Sequence, residues 1–111
     1  MTATAARALL AELLAATPPP PAPGTDANDV VETAARFVAA RERPFASLRA
    51  LMERDPALLV GDADSARLVA ELRERDAGWS AAMKQARVQL SERMASVRRA
   101  QRPRGGIRHG R

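Results

Sequence analysis

A long stretch without proline, from about Ser65 to Gln101, constrains this chain more than any other feature. No proline occurs between Pro56 and Pro103. Apolar residues in the stretch recur three, four or seven positions apart, which is helical spacing and not strand alternation. They are Leu68, Leu72, Trp79, Met83, Ala86, Leu90, Met94 and Val97. A helix of this length spans roughly 55 Å and cannot cover its own apolar stripe, so it needs a second helix or a second chain.

A second amphipathic segment precedes the long helix and starts near Asp26. Its predicted inward stripe follows spacings of three and four. The stripe consists of Val31, Ala34, Val38, Arg41, Phe45, Leu48 and Met52. Pro44 interrupts the segment and leaves two interpretations, one kinked helix or two helices that meet at residues 43–44. The stripe keeps its phase across Pro44, which favours one kinked helix.

A short apolar turn connects the two long segments. The second segment ends at Asp55-Pro56, and Gly61 closes the turn. The apolar residues between them are Leu58, Leu59 and Val60. We expect these residues to cover the end of the core. Two long helices joined by so short a connection form an antiparallel helical hairpin.

The spacing of apolar residues in the N-terminal segment 2–16 predicts a short helix with one apolar face. That face consists of Ala6, Leu9, Leu10, Leu13 and Leu14. Because a helix of about 15 residues is marginal alone in water, we expect it to dock on the rest of the chain. A peptide that a partner recognises is the alternative. Residues 17–25 follow as a proline-rich linker, which favours a stiff extended spacer over a ligand for an SH3-type domain.

These segments predict an all-α fold, either an antiparallel helical hairpin or a small three-helix bundle with one long C-terminal helix. The chain divides into a short N-terminal helix at residues 1–16, the linker at 17–25, the helical hairpin at 26–101 and a disordered basic tail at 102–111. The tail is expected to leave the helix because it holds Pro103 and several glycines.

Arg75 and Asp76 interrupt the apolar stripe of the long helix. Arg75 lies four residues after Glu71, which lies four residues after Arg67. This spacing favours a solvated ladder of ion pairs, while a surface that recognises a partner is the alternative. Gly78 stands close by, and it indicates either the close approach of another helix or a weak point where the helix bends.

The chain offers little chemistry for catalysis. It has no Cys and no Tyr, and its single His109 lies in the tail. Motifs of phosphate-binding loops, zinc proteases and serine hydrolases do not occur. The paired carboxylates Asp26 with Asp29 and Asp62 with Asp64 stand at predicted helix starts, where capping explains them. We therefore predict no enzyme, with no catalytic, cofactor-binding or metal-binding residues and no cofactor.

Positive charge is concentrated towards the C-terminus. The net charge is +5, and residues 84–111 carry nine Lys or Arg residues against Glu92 alone. Such an end can attract phosphate or an acidic surface, although the excess of Arg over Lys is also typical of coding bias. Nucleic acid is not favoured as a partner, because the basic segment holds no aromatic residue on which bases would stack.

The sequence also bears on the compartment. No apolar run approaches the roughly 18 residues of a membrane span, so none is predicted. Glu12 breaks the apolar N-terminal segment, which therefore does not predict a signal peptide. A chain without Cys fits a reducing cytosol.

The region from about residue 30 to residue 100 shares three features with a known family. A first helix ends in the segment LRALMERD, a short apolar turn follows, and a charged RD step in the long helix precedes a row of Trp, Met, Ala and Leu. In these features the chain resembles the small α-helical flagellar export chaperones of the FlgN/FliT type.

The resemblance implies a cytoplasmic chaperone for flagellar or type III export, which lays a helix of its protein client on an apolar helix face. The residues suited to bind that client are Trp79, Met83, Leu90, Met94 and Val97. The same row is also suited to pack against the second helix. We expect its first half to pack in the hairpin and Leu90 to Val97 to stay open. A self-assembling structural hairpin, a homodimer among its forms, and a binder of nucleic acid or anionic surfaces remain alternatives.

Overall fold

The computed structural model describes the backbone of residues 2–109 and the side chains of residues 3–101. Within this part the chain forms three helices, α1 (Thr2–Ala16), α2 (Ala27–Arg54) and α3 (Ala63–His109). Each helix contacts the other two, which confirms the predicted all-α bundle with one long C-terminal helix. The molecule measures 76 × 27 × 18 Å. It is elongated because α3 has 47 residues, which span about 70 Å at 1.5 Å per residue.

Helix α2 begins at a clear cap and is not broken by its proline. Asp26 is the N-cap, and its carboxylate accepts a hydrogen bond from the backbone N–H of Asn28. The helix then runs through Pro44 to Arg54, so the expected single helix is confirmed over the alternative of two. Pro44 is itself buried, and its ring therefore contributes apolar packing where the helix loses one backbone hydrogen bond.

The inward stripe predicted for α2 is partly wrong. The buried residues are Ala27, Val30, Ala34, Phe37 and Pro44. Val31, Val38 and Phe45 are exposed, with Val38 at 55% of its full accessible surface. The predicted stripe and the observed one are neighbouring rows one residue apart, and both satisfy helical spacing. The observed row faces inward because it brings Phe37 against Trp79 of α3.

The connection between α2 and α3 is a compact turn at residues 55–62. Gly61 adopts a φ of +80°, which a residue without a side chain enters at little cost. Leu58 is buried as expected, but Val60 is 80% exposed, so the prediction that all three apolar residues cover the core is wrong for Val60. A turn of this length aims successive side chains in different directions, and only some of them reach the core.

Helix α3 continues further than the sequence indicates. It ends at His109 and not near Gln101. The predicted disordered tail therefore disagrees with the helical backbone of residues 102–109, and residues 110 and 111 lie outside the described residues. Pro103 removes one backbone hydrogen bond, and one missing bond near the end of a 47-residue helix leaves the rest of its ladder in place.

Helix α1 docks on the hairpin, as expected from its length and apolar face. Ala6, Leu10 and Leu13 are buried, and α1 contacts both α2 and α3. Leu9 and Leu14 are only half-buried. The docked α1 and the linker after it form a third layer over the groove between the two long helices.

Asp62 fixes the start of α3 and joins it to α1. Its carboxylate accepts hydrogen bonds from the backbone N–H of Ser65 at 3.0 Å and from the Ser65 hydroxyl. The Arg7 guanidinium of α1 donates to both carboxylate oxygens, at 3.1 and 3.3 Å. The Ser65 hydroxyl and then Arg7 hold the pKa of Asp62 below its ordinary value. The cap is therefore an acid-sensitive contact between α1 and α3.

We expect the Asp62 contact to be lost in acid. A carboxyl group has an unfolded pKa of about 3.9. Because the folded pKa of Asp62 is lower, its stabilisation is complete above about pH 4 and is lost as the pH falls through the folded pKa. Asp62→Asn keeps a capping side chain but loses the charge opposite Arg7. The variant should be less stable than the wild type at pH 7 and should lose less stability between pH 7 and pH 3, as measured by urea unfolding.

Asp55→Asn is the matched control, because Asp55 lies at the other end of the same turn and is exposed. It should follow the wild-type pH dependence. Equal losses in Asp62→Asn and the wild type would contradict the acid-sensitive contact.

Candidate partner-binding surface

Trp79 lies at the centre of the bundle, where all three layers meet. It is 4% exposed. Its ring lies 4.8 Å from the ring of Phe37 in α2, at an interplanar angle of 57°. Its indole N–H donates to the backbone carbonyl of Pro18 in the linker at 2.7 Å. A buried indole with a satisfied N–H is a core residue, and the structure therefore places Trp79 inside the bundle.

The polar break in the α3 stripe receives the end of α1. Arg75 donates to the backbone carbonyls of Thr17 at 2.7 Å and Leu14 at 3.3 Å. Carbonyls at a helix C-terminus lack partners within the helix, and a cationic side chain satisfies them and their negative partial charge. Arg75 also pairs with Glu71 at 3.0 Å. The predicted ladder is therefore only half formed, and Arg75 recognises a segment of its own chain.

Arg41 of α2 completes the same layer. Its guanidinium donates to Asp76 at 2.6 Å and to the Thr17 hydroxyl at 3.3 Å. It also lies over the rings of Phe37 and Phe45, at 5.3 and 5.8 Å from their centroids, where a cation is attracted to the ring face. The layer ties α1, α2 and α3 together at one level, because each helix or its immediate end supplies one partner.

Gly78 is required by the linker. A side chain there would collide with the ring of Pro20, with its Cβ only 2.9 Å from the Cβ of Pro20. The close approach predicted as one possibility for Gly78 is therefore real, but the approaching element is the proline-rich linker and not a helix. The extended linker takes over from α1 as the third layer beside α3.

The apolar row suited to client binding divides along α3. Trp79 is buried, and Met83 and Leu90 are partly buried against the core cluster. Met94 and Val97 are 57% and 56% exposed. Helical spacing places these last two side chains on the same face of α3 as Leu90. We call the surface formed by Leu90, Met94 and Val97 the distal face.

An ion pair marks the point where α2 begins beside α3. The Arg93 guanidinium donates to the Asp26 carboxylate at 3.1 Å, and Asp26 caps the first turn of α2. This bond to Arg93 is the largest cause that lowers the pKa of Asp26, followed by the backbone N–H of Asn28. Because α2 and α3 are antiparallel, α3 continues past Arg93 without α2 at its side. Most of the distal face therefore lies on the projecting part of α3.

Helix α2 carries a second exposed apolar row, besides the distal face, that the sequence does not indicate. Val31, Val38 and Phe45 were assigned to the core, and the structure places them outside. A groove of about 240 Å³ runs between Val38 and Phe45, with the Arg49 guanidinium 5.7 Å from the Phe45 centroid. The sequence contains one sign of the correct buried row. The neighbouring row that begins at Ala27 and Val30 fits helical spacing equally well.

Other kinds of site are not indicated by the described residues. Among the side chains of residues 3–101, no three acidic or His residues come together in a way that would hold a metal ion. No helix in the described part of the chain is long and apolar enough to cross a membrane. Comparisons with protein family models, with curated proteins and with solved structures found no match for this chain.

Arg75→Ala should loosen α1 selectively. The change removes two charged hydrogen bonds, to the carbonyls of Leu14 in α1 and of Thr17 just after it, and bonds of this kind contribute about 1.5–3 kcal/mol each at most. We expect a total loss of about 1–3 kcal/mol in the free energy of unfolding and faster amide exchange in residues 3–17 than in α2. Arg73→Ala, an exposed change on the same helix, should do neither. Uniformly faster exchange in all three helices would contradict the selective role.

Trp79 substitutions distinguish a core residue from a client contact. Trp79→Ala should lower the free energy of unfolding by about 3–5 kcal/mol, because it leaves a large cavity. Trp79→Phe keeps an aromatic ring near Phe37 but loses the N–H donor to Pro18, and it should cost about 1–2 kcal/mol. Urea unfolding followed by circular dichroism measures both changes. Unchanged stability in Trp79→Ala would show that the side chain is not needed for the core.

Proposed function

We propose that this protein is a non-enzymatic export chaperone that holds a helix of a protein client on the distal face. The observation that carries the proposal is the exposed apolar pair Met94 and Val97 on the part of α3 that projects past α2, which continues the row of the partly buried Leu90. Amphipathic helices bind grooves and faces of this kind through side chains spaced three and four apart. The resemblance to flagellar export chaperones supports a client from flagellar or type III export and a cytoplasmic location.

This proposal assigns client binding to fewer residues than the full apolar row. Met94 and Val97 supply the exposed contact surface, and Leu90 supports it from the edge of the core. Trp79 and Met83 lie nearer the start of α3. They hold this helix on the bundle and so fix the direction in which it projects. Met94 suits an adaptable surface, because its unbranched side chain adjusts to different partners.

The size of the distal face limits how tightly it binds on its own. Complete burial of one such side chain contributes about 1.5–3 kcal/mol, and these side chains are already partly covered. Micromolar binding corresponds to about 8 kcal/mol. Three partly exposed side chains do not reach that value, so a client needs further contacts along α3.

Met94→Asp should abolish client capture without unfolding the protein. A carboxylate at the centre of an apolar contact loses its hydration when the client binds, which should weaken binding by at least about a hundredfold. Met94 is mostly exposed in the free protein, so far-UV circular dichroism should be unchanged. The ligands to test are purified filament-junction and cap subunits from the same cells, and native mass spectrometry should show a one-to-one complex with one of them.

Val88→Asp is the matched control. Val88 is 55% exposed and lies six residues before Met94 on a different side of α3. The Val88→Asp change introduces the same charge at a similarly exposed position and should leave client capture intact. Failure of the wild type to bind any of these subunits, or equal loss in both variants, would contradict the proposed function.

A further inference from the structure

The distal face is bordered by arginine on both sides. At 100° per residue, Arg87 and Arg98 fall on one side of the Leu90–Val97 row, since they are eleven residues or about three turns apart. Arg93 falls on the other side. All three arginines are exposed. Glu92, the one acidic residue among positions 84–101, points away from the row by the same geometry.

One of these arginines already has an acidic partner within the chain. Arg93 reaches the Asp26 carboxylate at 3.1 Å, and both side chains are about half-exposed. The pair shows that an arginine at the border of the distal face can reach an acidic side chain on a helix that lies beside α3. Arg87 and Arg98, on the other border, take part in none of the ion pairs formed by the described residues.

We infer that the distal face takes an acidic amphipathic helix of a protein client, with an apolar row that covers Met94 and Val97 and with Asp or Glu on the side of that row that faces Arg87 and Arg98. The inference rests on the proposed function and specifies the class of client. Carboxylates placed beside Arg87 and Arg98 add charge-assisted contacts to a small apolar surface, and arginine binds them with two parallel hydrogen bonds. The unpaired positive charge of Arg87 and Arg98 on one border also rejects helices with basic flanks on that side.

A second copy of this chain is a poor occupant of the same face. Two distal faces brought together would place arginine borders against each other, and like charges at close range oppose association. Nucleic acid would use the arginines but not the apolar row. Of the three aromatic residues in the chain, Phe37 and Trp79 are buried and Phe45 lies on α2, so none is available at the distal face for stacking.

Two designed peptides test the inference directly on the full-length protein. Both are 18-residue helices with the same leucine row, one with glutamate and the other with lysine beside the row. Fluorescence anisotropy at about 50 and 200 mM salt should show the glutamate peptide binding at least tenfold more tightly than the lysine peptide, with a smaller ratio at the higher salt concentration. Arg87→Glu combined with Arg98→Glu should reduce or reverse the preference. Arg54→Glu combined with Arg73→Glu, the same charge change at exposed positions towards the other end of the bundle, should leave most of it in place.

The outcomes separate this inference from the proposed function. If both peptides bind equally and Met94→Asp removes the binding of both, the distal face takes helices but the acidic class is wrong. If neither peptide binds, the inference and the helix-binding proposal both fail. If Met94→Asp leaves the glutamate peptide bound, the attraction is only electrostatic and the inference is overturned. Tight binding of a single-stranded oligonucleotide that competes with the glutamate peptide and persists in Met94→Asp overturns it in favour of a phosphate-binding surface.

Discussion

The contact between Trp79, Phe37 and the carbonyl of Pro18 is the interaction on which this small bundle depends. The core is built largely from small side chains such as Ala27, Ala34 and Ala86, which bury little apolar area each. Trp79 compensates with one large buried ring, and its N–H fixes the linker while its face fixes α2. A core with one dominant aromatic contact places all three layers relative to a single side chain. Its removal therefore affects every interface at once.

The polar layer next to Trp79 determines where α1 ends on the hairpin. Apolar contacts of Leu10 and Leu13 hold α1 on the hairpin but are not directional. Arg75 and Arg41 add directional contacts, because the carbonyls of Leu14 and Thr17 and the Thr17 hydroxyl accept from their guanidinium groups. The arrangement has a cost, because Nε of Arg41 is buried without a partner. The remaining bonds of Arg41 and its two ring contacts offset that cost.

The sequence predicts the helices well and their contacts less well, for physical reasons. The existence of α1, α2 and α3 follows from periodicity and caps, which are local properties. The choice between the rows that contain Val30 and Val31 is not local, because both rows satisfy the helical period and only the position of Trp79 decides between them. A tryptophan in an apolar row also has the same pattern whether it packs inside or binds a partner. For Arg75, the correct partner lies about sixty residues away at the end of α1, and no spacing rule within one helix indicates it.

The path of the chain explains why no other helix among the described residues covers α3 at Met94 and Val97. The third layer consists of α1, about 22 Å long at 1.5 Å per residue, and the linker, which extends at most about 3.1 Å per residue. This layer must deliver the chain to Asp26, where α2 starts beside Arg93. Helix α2 then runs back towards the turn. Both covering layers therefore meet at one end of the bundle, and no residue before Asp26 is needed further along α3. The exposed row of Met94 and Val97 follows from this path of the chain and not from loose packing. A partner that covers the row has to come from outside the fold, and the arginines at its borders determine which partners can approach.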